Sequence, residues 1–295
     1  MNDPGFVVSA EERRRLLAAN MAAAKFFRRE LLGATGGWPV EYLKARGAES
    51  VLTVSADWKV GYAPDASTRL ADHLRGDGVS YATMVKAGLV EWSAGGDAVD
   101  RHRDQLMLVA RDDRLSPVGF VGIREDGHAG PVTPANAIHR PSNVLVGLEE
   151  QLDLLTQGAV PVIVNDPMDA IAVTNLSRET GGKWVGIPVC EGTLSTAQAR
   201  LVRRWSRSDK VIVVLTGEDA ARNQTAGCVF DLALFFDRVR AAQLSMPIST
   251  AVMHEGTKGQ LVEILSGPRS VVTSKGADDQ LVGDLNPPAR GPGLG

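Results

Sequence analysis

The sharpest change of hydrophobic period along the chain falls between residues 159 and 176. Val160 to Val164 is a compact apolar run rich in β-branched residues, the pattern of a strand buried on both faces. Asn165, Asp166 and Pro167 interrupt it. From Met168 the spacing turns helical, with Met168, Ile171, Ala172 and Asn175 along one face. The unit is strand, tight turn, helix. Two similar units follow: a strand at Trp184–Val189 with a helix at Thr196–Arg204, then a strand at Val211–Leu215 with a helix from Ala226 to about Leu244. This alternation predicts a small parallel sheet covered by helices, with Ile248–Met253 as a last strand.

The first 150 residues are patterned differently. Ser9 and Glu12 form a capping-box signature for a helix running to about Leu32, with Leu16, Leu17, Asn20, Ala24, Phe27 and Leu31 near one face. Its arginines, Arg13, Arg14, Arg15, Arg28 and Arg29, read as solvated charges. A short helix at Val40–Arg46 is stopped by Gly47. Val51–Val60 reads as extended and Gly61–Pro64 as a turn, followed by helices at Ser67–Leu74 and Ser80–Ala87, the second stopped by Gly88. Gln105–Ala110 and Pro117–Ile123 predict a hairpin around the polar Arg111–Arg114. Gly127–Pro141 reads as a loop and a linker, and Leu148–Thr156 as helical. Phe26, Phe27 and the tryptophans read as core, and His102 and His139 as surface residues. The expected fold class is α/β with two lobes: a mixed α+β lobe over 1–145, a parallel-sheet domain over 146–268, and a disordered tail over 269–295.

Composition narrows the function classes. The 295 residues are 44% hydrophobic and carry a net charge of −3, so bulk charge does not make the chain a polyanion binder and any nucleic-acid contact needs a local groove. The two cysteines, Cys190 and Cys228, are far apart, form no CxxC pair for zinc, and read as reduced, buried thiols. No apolar run is long enough to span a bilayer, so the expected location is the cytoplasm, with no membrane partner.

Candidate chemistry sits at strand ends, where open α/β sheets bind ligands. Asp166 and Asp169 follow the first strand of the parallel sheet, and Glu218 and Asp219 follow the third. Carboxylates gathered there suit magnesium, which takes hard oxygen ligands. Each also suits a plainer role: an acid in the first turn of a helix is favoured by the dipole and by free backbone N–H groups.

Several further segments, in order, give the chain a resemblance. Tyr42-Leu-Lys-Ala-Arg46-Gly47, Gly61-Tyr-Ala-Pro64, Ala87-Gly-Leu-Val90, Asp100-Arg101-His-Arg103, Val118-Gly-Phe-Val-Gly-Ile-Arg124 and Gly147-Leu148 are followed by the VNDPMD turn, Gly192-Thr193 and Leu215-Thr-Gly-Glu-Asp219. Over residues 20–265 this resembles the catalytic core of bacterial DnaG-type primases, an RNA-polymerase subdomain followed by a TOPRIM α/β subdomain. Similar cores occur in plasmid conjugative relaxases. The resemblance implies a magnesium- or manganese-dependent nucleotidyl transferase on single-stranded DNA. It assigns Asp169 and Glu218 to catalysis, Asp169, Glu218, Asp219 and Asp166 to metal, and Arg46, Arg101, Arg103, Arg124 and Arg140 to nucleic acid.

The departures from the family pattern fall on the chemistry. Asn165 stands where the resemblance expects a glutamate, and Asp166 where it expects a glycine. Thr216 replaces the first acid of a DxD, Gln105 replaces an arginine, and Lys258 falls where a carboxylate is expected, which would bring positive charge to the site. No zinc-binding segment is seen. Losing two or three charges from a site that must strip water from magnesium weakens binding. The preferred expectation is a primase-like protein with an impaired metal site, acting in replication or plasmid transfer by binding single-stranded DNA or a partner protein. The alternative is an active magnesium-dependent primase that makes RNA primers. The first expects Arg46, Arg103, Arg124 and Arg140 to share one groove; the second needs three carboxylates on one cation.

Overall fold

The structure, a computed structural model, describes residues 8–190, 194–216 and 219–267. The first lobe begins with α1 (Ala10–Gly33), capped by Ser9, whose hydroxyl accepts from the Glu12 N–H. The capping box is only half formed, because Glu12 pairs instead with Lys86. There follow α2 (Trp38–Ala45), a 3-10 turn at Glu49–Leu52, β1 (Gly61–Ala63), α3 (Arg69–Gly76), α4 (Tyr81–Ala87), the small hairpin β2 (Val90–Trp92) and β3 (Ala98–Asp100), then β4 (Gln105–Arg111), β5 (Pro117–Ile123) and β6 (Ala129–Pro131). The main sheet of this lobe is antiparallel in the order β1-β4-β5-β6.

The second lobe holds α5 (Leu152–Thr156), β7 (Val160–Val164), α6 (Pro167–Glu179), β8 (Trp184–Pro188), α7 (Thr196–Trp205), β9 (Lys210–Thr216), α8 (Asp219–Ala233), β10 (Arg238–Leu244), α9 (Ile248–Ala251) and α10 (Glu255–Ser266). Its sheet is parallel in the order β10-β9-β7-β8. Strand residues alternate faces as the pleat requires. Val162, Val164, Ile212 and Val214 join one apolar cluster with α6, α10 and the helices of the first lobe. Ile163, Val211, Val213 and Leu215 join a second cluster with α5, α7 and α8. The first cluster is continuous across both sheets. Accordingly α6, which lies between them, is buried on nearly every side rather than along one stripe.

Six expectations are corrected. Gly61–Ala63 is a strand on the edge of the first sheet, not a turn, and Val51–Val60 is not extended: after the 3-10 turn it loops under the side chain of Arg28. That arginine is no solvated charge, since it donates to the carbonyls of Val51 (2.7 Å), Val60 (2.8 Å) and Thr53 (2.5 Å). The predicted helix ending at Leu244 ends at Ala233, and Arg238–Leu244 is an edge strand. Its Arg, Ala, Gln and Leu are good helix formers, but the ladder to β9 overrides propensity. Ile248–Met253, read as a strand, starts with the single turn of α9. Part of the predicted loop 127–141 is β6, paired with β5.

His102 and His139 are not surface residues either; both are at least 98% buried. His102 packs edge-on against Phe27 and beside Phe120, and burial depresses its pKa to about 3. His139 fills the space over Gly119. Cys228 is buried and Cys190 half-buried, and the two are not joined by a disulfide. Trp58 and Trp184 are core residues, whereas Trp92 is exposed. The tail from 269 lies outside the described residues. Among those described, no helix is long and apolar enough to cross a membrane.

Candidate functional site at the end of β7

The chain leaves β7 at Asn165 and enters α6 through Asp166 and Pro167. Proline at the first helical position is pre-set for the helix and has no N–H to leave unbonded. Asp166 is the N-cap: one carboxylate oxygen accepts from Met168 N–H (2.7 Å) and Asp169 N–H (3.1 Å). Asp169 points away from that turn and is completely buried. Its Oδ1 accepts from the backbone N–H of Ser249 at 2.8 Å. Ser249 lies in the first turn of α9, whose N-cap is Pro247, a residue with no side-chain acceptor. Asp169 thus supplies from α6 the cap that α9 cannot supply itself. Its Oδ2 is buried with no hydrogen-bond partner among the described residues. Burial, and then the neighbouring charge of Asp166, push the Asp169 carboxyl up to about 7, against the pull of the Ser249 N–H.

The first lobe meets this point through α2. Arg46, at the carboxyl end of that helix, donates to Ser249 Oγ at 3.3 Å and lies 5.2 Å from the centre of the Tyr42 ring. Gly127, in the turn between β5 and β6, closes over both side chains. One turn back along α2, Trp38 sits edge-on to Tyr42 and to Tyr62 of β1. Trp38 Nε1 (2.6 Å) and the Tyr62 hydroxyl (2.8 Å) both donate to Asp104, a residue with φ of +49°. Burial and the Asp104 contact raise the Tyr62 hydroxyl to about 12. The result is an aromatic and guanidinium surface that ends against Asp169.

The other named residues divide. Arg124 flanks the Gly127 turn and pairs with Asp126 at 2.9 Å, so it lies beside Arg46. Arg103 is exposed next to Asp104. Arg101 is drawn to Glu91 of β2 at 2.9 Å. Arg140 is elsewhere: its neighbour His139 covers Gly119, roughly 16 Å along β5 from Arg124 at about 3.3 Å per residue. It lines a different cleft, with Arg13 and Arg200. The four arginines therefore do not share one groove. Lys258 does not approach the acids: it pairs with Glu179 at 2.7 Å, at the far end of α6, about 15 Å from Asp169 along the helix. Gly192, Thr193 and Glu218 lie outside the described residues. Asp219 is the first residue of α8, and nothing is described of its side chain.

The sequence does not single out Ser249 or Asp104, and it reads Trp38 as core, whereas Trp38 is only half-buried. Ser249 had a signal, since the Met-Pro-Ile-Ser run places proline just before a possible first helical turn. Asp100, quoted only as part of a motif, caps α3 by accepting from Leu70 (2.7 Å) and Ala71 (2.8 Å) N–H groups.

The donor set can be tested against magnesium. Among the described residues no group of three acidic or histidine side chains converges. Asp166 has one oxygen on the helix N-terminus, and the free oxygen of Asp169 is sealed from solvent. Magnesium keeps several of its waters and needs an open approach. The described residues do not fit it.

What the geometry defines first is a class: a two-lobed α/β core in which an arginine-bearing antiparallel sheet abuts the ligand end of a parallel one. Known proteins specify it further. Residues 26–150 match the family described as DNA primase catalytic core, N-terminal domain. A DNA primase of Deinococcus radiodurans is 32% identical over 212 residues, covering 70% of this chain and 35% of that protein. One from Geobacillus stearothermophilus is 26% identical over 241 residues, covering 79% and 38%. The RNA polymerase domain of Mycobacterium tuberculosis primase DnaG superposes with a TM-score of 0.71 at 21% identity, over 86% of this chain and 84% of that one. A DnaG primase catalytic domain bound to ssDNA gives 0.68 at 21% identity, over 85% and 83%. Residues 26–150 carry the N-terminal domain of a DnaG-type primase catalytic core, and the chain shares the fold of such cores. It spans about a third of the length of the curated primases it matches.

Proposed function

We propose that this chain is a primase-like protein acting on DNA, with a TOPRIM-like second lobe, that binds single-stranded DNA and is impaired in catalysis. The observation that carries the impairment is Asp169. Its carboxyl group is shut inside the lobe contact, caps α9, and sits beside a second acid whose oxygen caps α6. A residue so placed ties α6 to α9 within the second lobe instead of presenting oxygens to a hydrated cation. Binding is supported by Arg46, Arg103 and Arg124 around the Trp38–Tyr42–Tyr62 cluster, which combines guanidinium groups with ring surface suited to unpaired bases. The chain would work in the cytoplasm, in replication or plasmid transfer, beside other proteins of that machinery.

One observation favours the active alternative. A buried carboxylate oxygen without a donor, next to another acid, is a place where a divalent ion would relieve both repulsion and desolvation. A magnesium- or manganese-dependent primase would then use Asp169 and Asp166 with Glu218 or Asp219. Calorimetric titration of either ion, paired with primer synthesis on a single-stranded template, separates the readings. The proposal expects no saturable metal binding at millimolar concentration and no primers, together with salt-dependent DNA binding that Arg46→Ala and Arg124→Ala weaken. Metal binding that Asp169→Ala abolishes, with template-directed primers from the wild type, would overturn it.

A further inference from the structure

The cleft that takes Arg140 lies across the lobe seam from Asp169, at the opposite end of the β4–β5 hairpin. It is a cavity of about 340 Å³ between the start of α1, the β4–β5 turn, the segment before α5, and α7. Four guanidinium groups line it, from Arg13, Arg140, Arg200 and Arg204, against two carboxylates, Asp112 and Asp113. Arg13 is held by Asp112 at 2.6 Å and Arg204 by Asp113 at 3.2 Å. Arg140 and Arg200 have no carboxylate partner among the described residues, and Arg200 lies 5.6 Å from the centre of the Phe235 ring. Two positive charges are therefore in excess, in a chain whose net charge is −3.

Among the described residues, the fold neutralises two of the four charges and leaves Arg200 with a ring contact alone. Arg200 and Arg204 stand four residues apart on α7, a spacing at which like charges repel. The cavity floor, by contrast, is apolar, with Ile138, Val144 and Leu201 buried beneath the guanidinium groups. The walls are fixed: Gln198 of α7 donates to the carbonyls of Val144 (2.9 Å) and Pro141 (3.3 Å), and Ser195 donates to Ser142 (2.5 Å). Two exposed guanidinium groups left without a carboxylate among the described residues suit phosphate oxygens, and an apolar floor beside them suits a base or sugar. The volume is at the small end of ligand pockets.

We infer that this cleft is a nucleotide-phosphate site, separate from the Asp169 end of the molecule, in which Arg140 and Arg200 hold the phosphate. The same chemistry is offered by a free mononucleotide and by one residue of a nucleic-acid strand. Adenosine monophosphate and a short single-stranded DNA would each be titrated into the full chain by calorimetry. The variants are Arg140→Ala/Arg200→Ala, both at exposed positions, and, as a separate control, Arg46→Ala/Arg124→Ala. Mononucleotide binding weakened about tenfold by the first double variant supports the site and names a free nucleotide as its occupant. Strand binding weakened in that variant, without mononucleotide binding, supports it with the strand as occupant. Binding of neither probe, or equal binding by wild type and the Arg140/Arg200 variant, overturns it. Strand binding lost only in the Arg46/Arg124 variant overturns the cleft while leaving the proposed function standing. Should the first variant fail to fold, Asp113→Asn decides: freeing Arg204 should tighten binding about two- to threefold, and no change would sink the inference.

Discussion

Two polar residues of α6, five positions apart, are bonded in opposite ways. Thr174 is neutral and fully bonded. It accepts from Trp58 Nε1 at 3.3 Å and donates to Gln151, whose amide in turn donates to the carbonyls of Gly147 (2.9 Å) and Gly186 (2.8 Å). Asp169 is acidic, bonded through one oxygen and, among the described residues, without a hydrogen-bond partner at the other. A closed neutral network holds its geometry because every donor and acceptor loses something when it opens. A half-satisfied acid gains from protonation or from any cation that reaches it. The same helix thus carries one contact built for permanence and one retained at an energetic penalty, and the second lies where the resemblance to primases puts chemistry.

The contrast can be broken first at its rigid side. Gly147 has φ of +82°, and an added Cβ would lie 2.3 Å from the Trp58 ring. Gly147→Ala should therefore destabilise the chain by about 3 kcal/mol or more in urea unfolding, through both backbone strain and the collision. Gln151→Leu leaves two buried carbonyls without donors and should cost roughly 2–3 kcal/mol by the same measurement. On the other side, near pH 4, where the carboxyl is protonated, Asp169→Ala should cost about 1–2 kcal/mol through the lost cap, whereas Asp169→Asn should change stability by less than about 0.5 kcal/mol because its amide oxygen still accepts from Ser249.

The two sides also differ in pH dependence. The folded-state pKa of Asp169 is raised above its unfolded value, so its contribution is present below about pH 4 and lost as pH rises towards about 7. Asp169→Asn should remove that downward slope from a plot of unfolding free energy against pH. If the slope stays, Asp169 is not its source, and it arises from other buried acids such as Glu150 and Asp100. His102 gives the smallest effect near neutral pH. Its pKa is depressed by burial, so stability is full above about 6.5 and falls as pH drops towards about 3, by roughly 1.4 kcal/mol per pH unit between them. His102→Phe should leave the neutral melting temperature within a few degrees and flatten the acid limb.

Much of the parallel sheet could be read from periodicity, because β7 and β9 are unbroken apolar runs and α6 opens on an unmistakable Asp-Pro N-terminus. The edge strand β10 could not: Arg238, Arg240 and Gln243 interrupt its apolar pattern, and only pairing with β9 makes it a strand. The burial of His102 and His139 was invisible for a related reason, since the space each fills is set by Phe27 and Gly119, far off in sequence. At the site, the position of Asp169 in the first turn of a helix was legible, and so was a capping role for an acid there. Its actual partner, 80 residues away on α9, depends on the tertiary fold. The same holds for Lys258, whose pairing with Glu179 follows from where α10 lies against α6.

The apolar cluster that joins the two lobes has a consequence for synthesis. The apolar cluster that holds α1 and the first sheet also takes in Met168, Ile171 and Val173 of α6, which leave the ribosome long after Gly33 closes α1. At the usual 5–20 residues per second, the interval between the ends of these helices is roughly 7–30 s. For that time the cluster that contains Phe26, Phe27 and Leu31 is incomplete. A nascent chain in this state is a substrate for chaperones, and slowing translation between α1 and α6 should lower the soluble yield more than slowing it after α10.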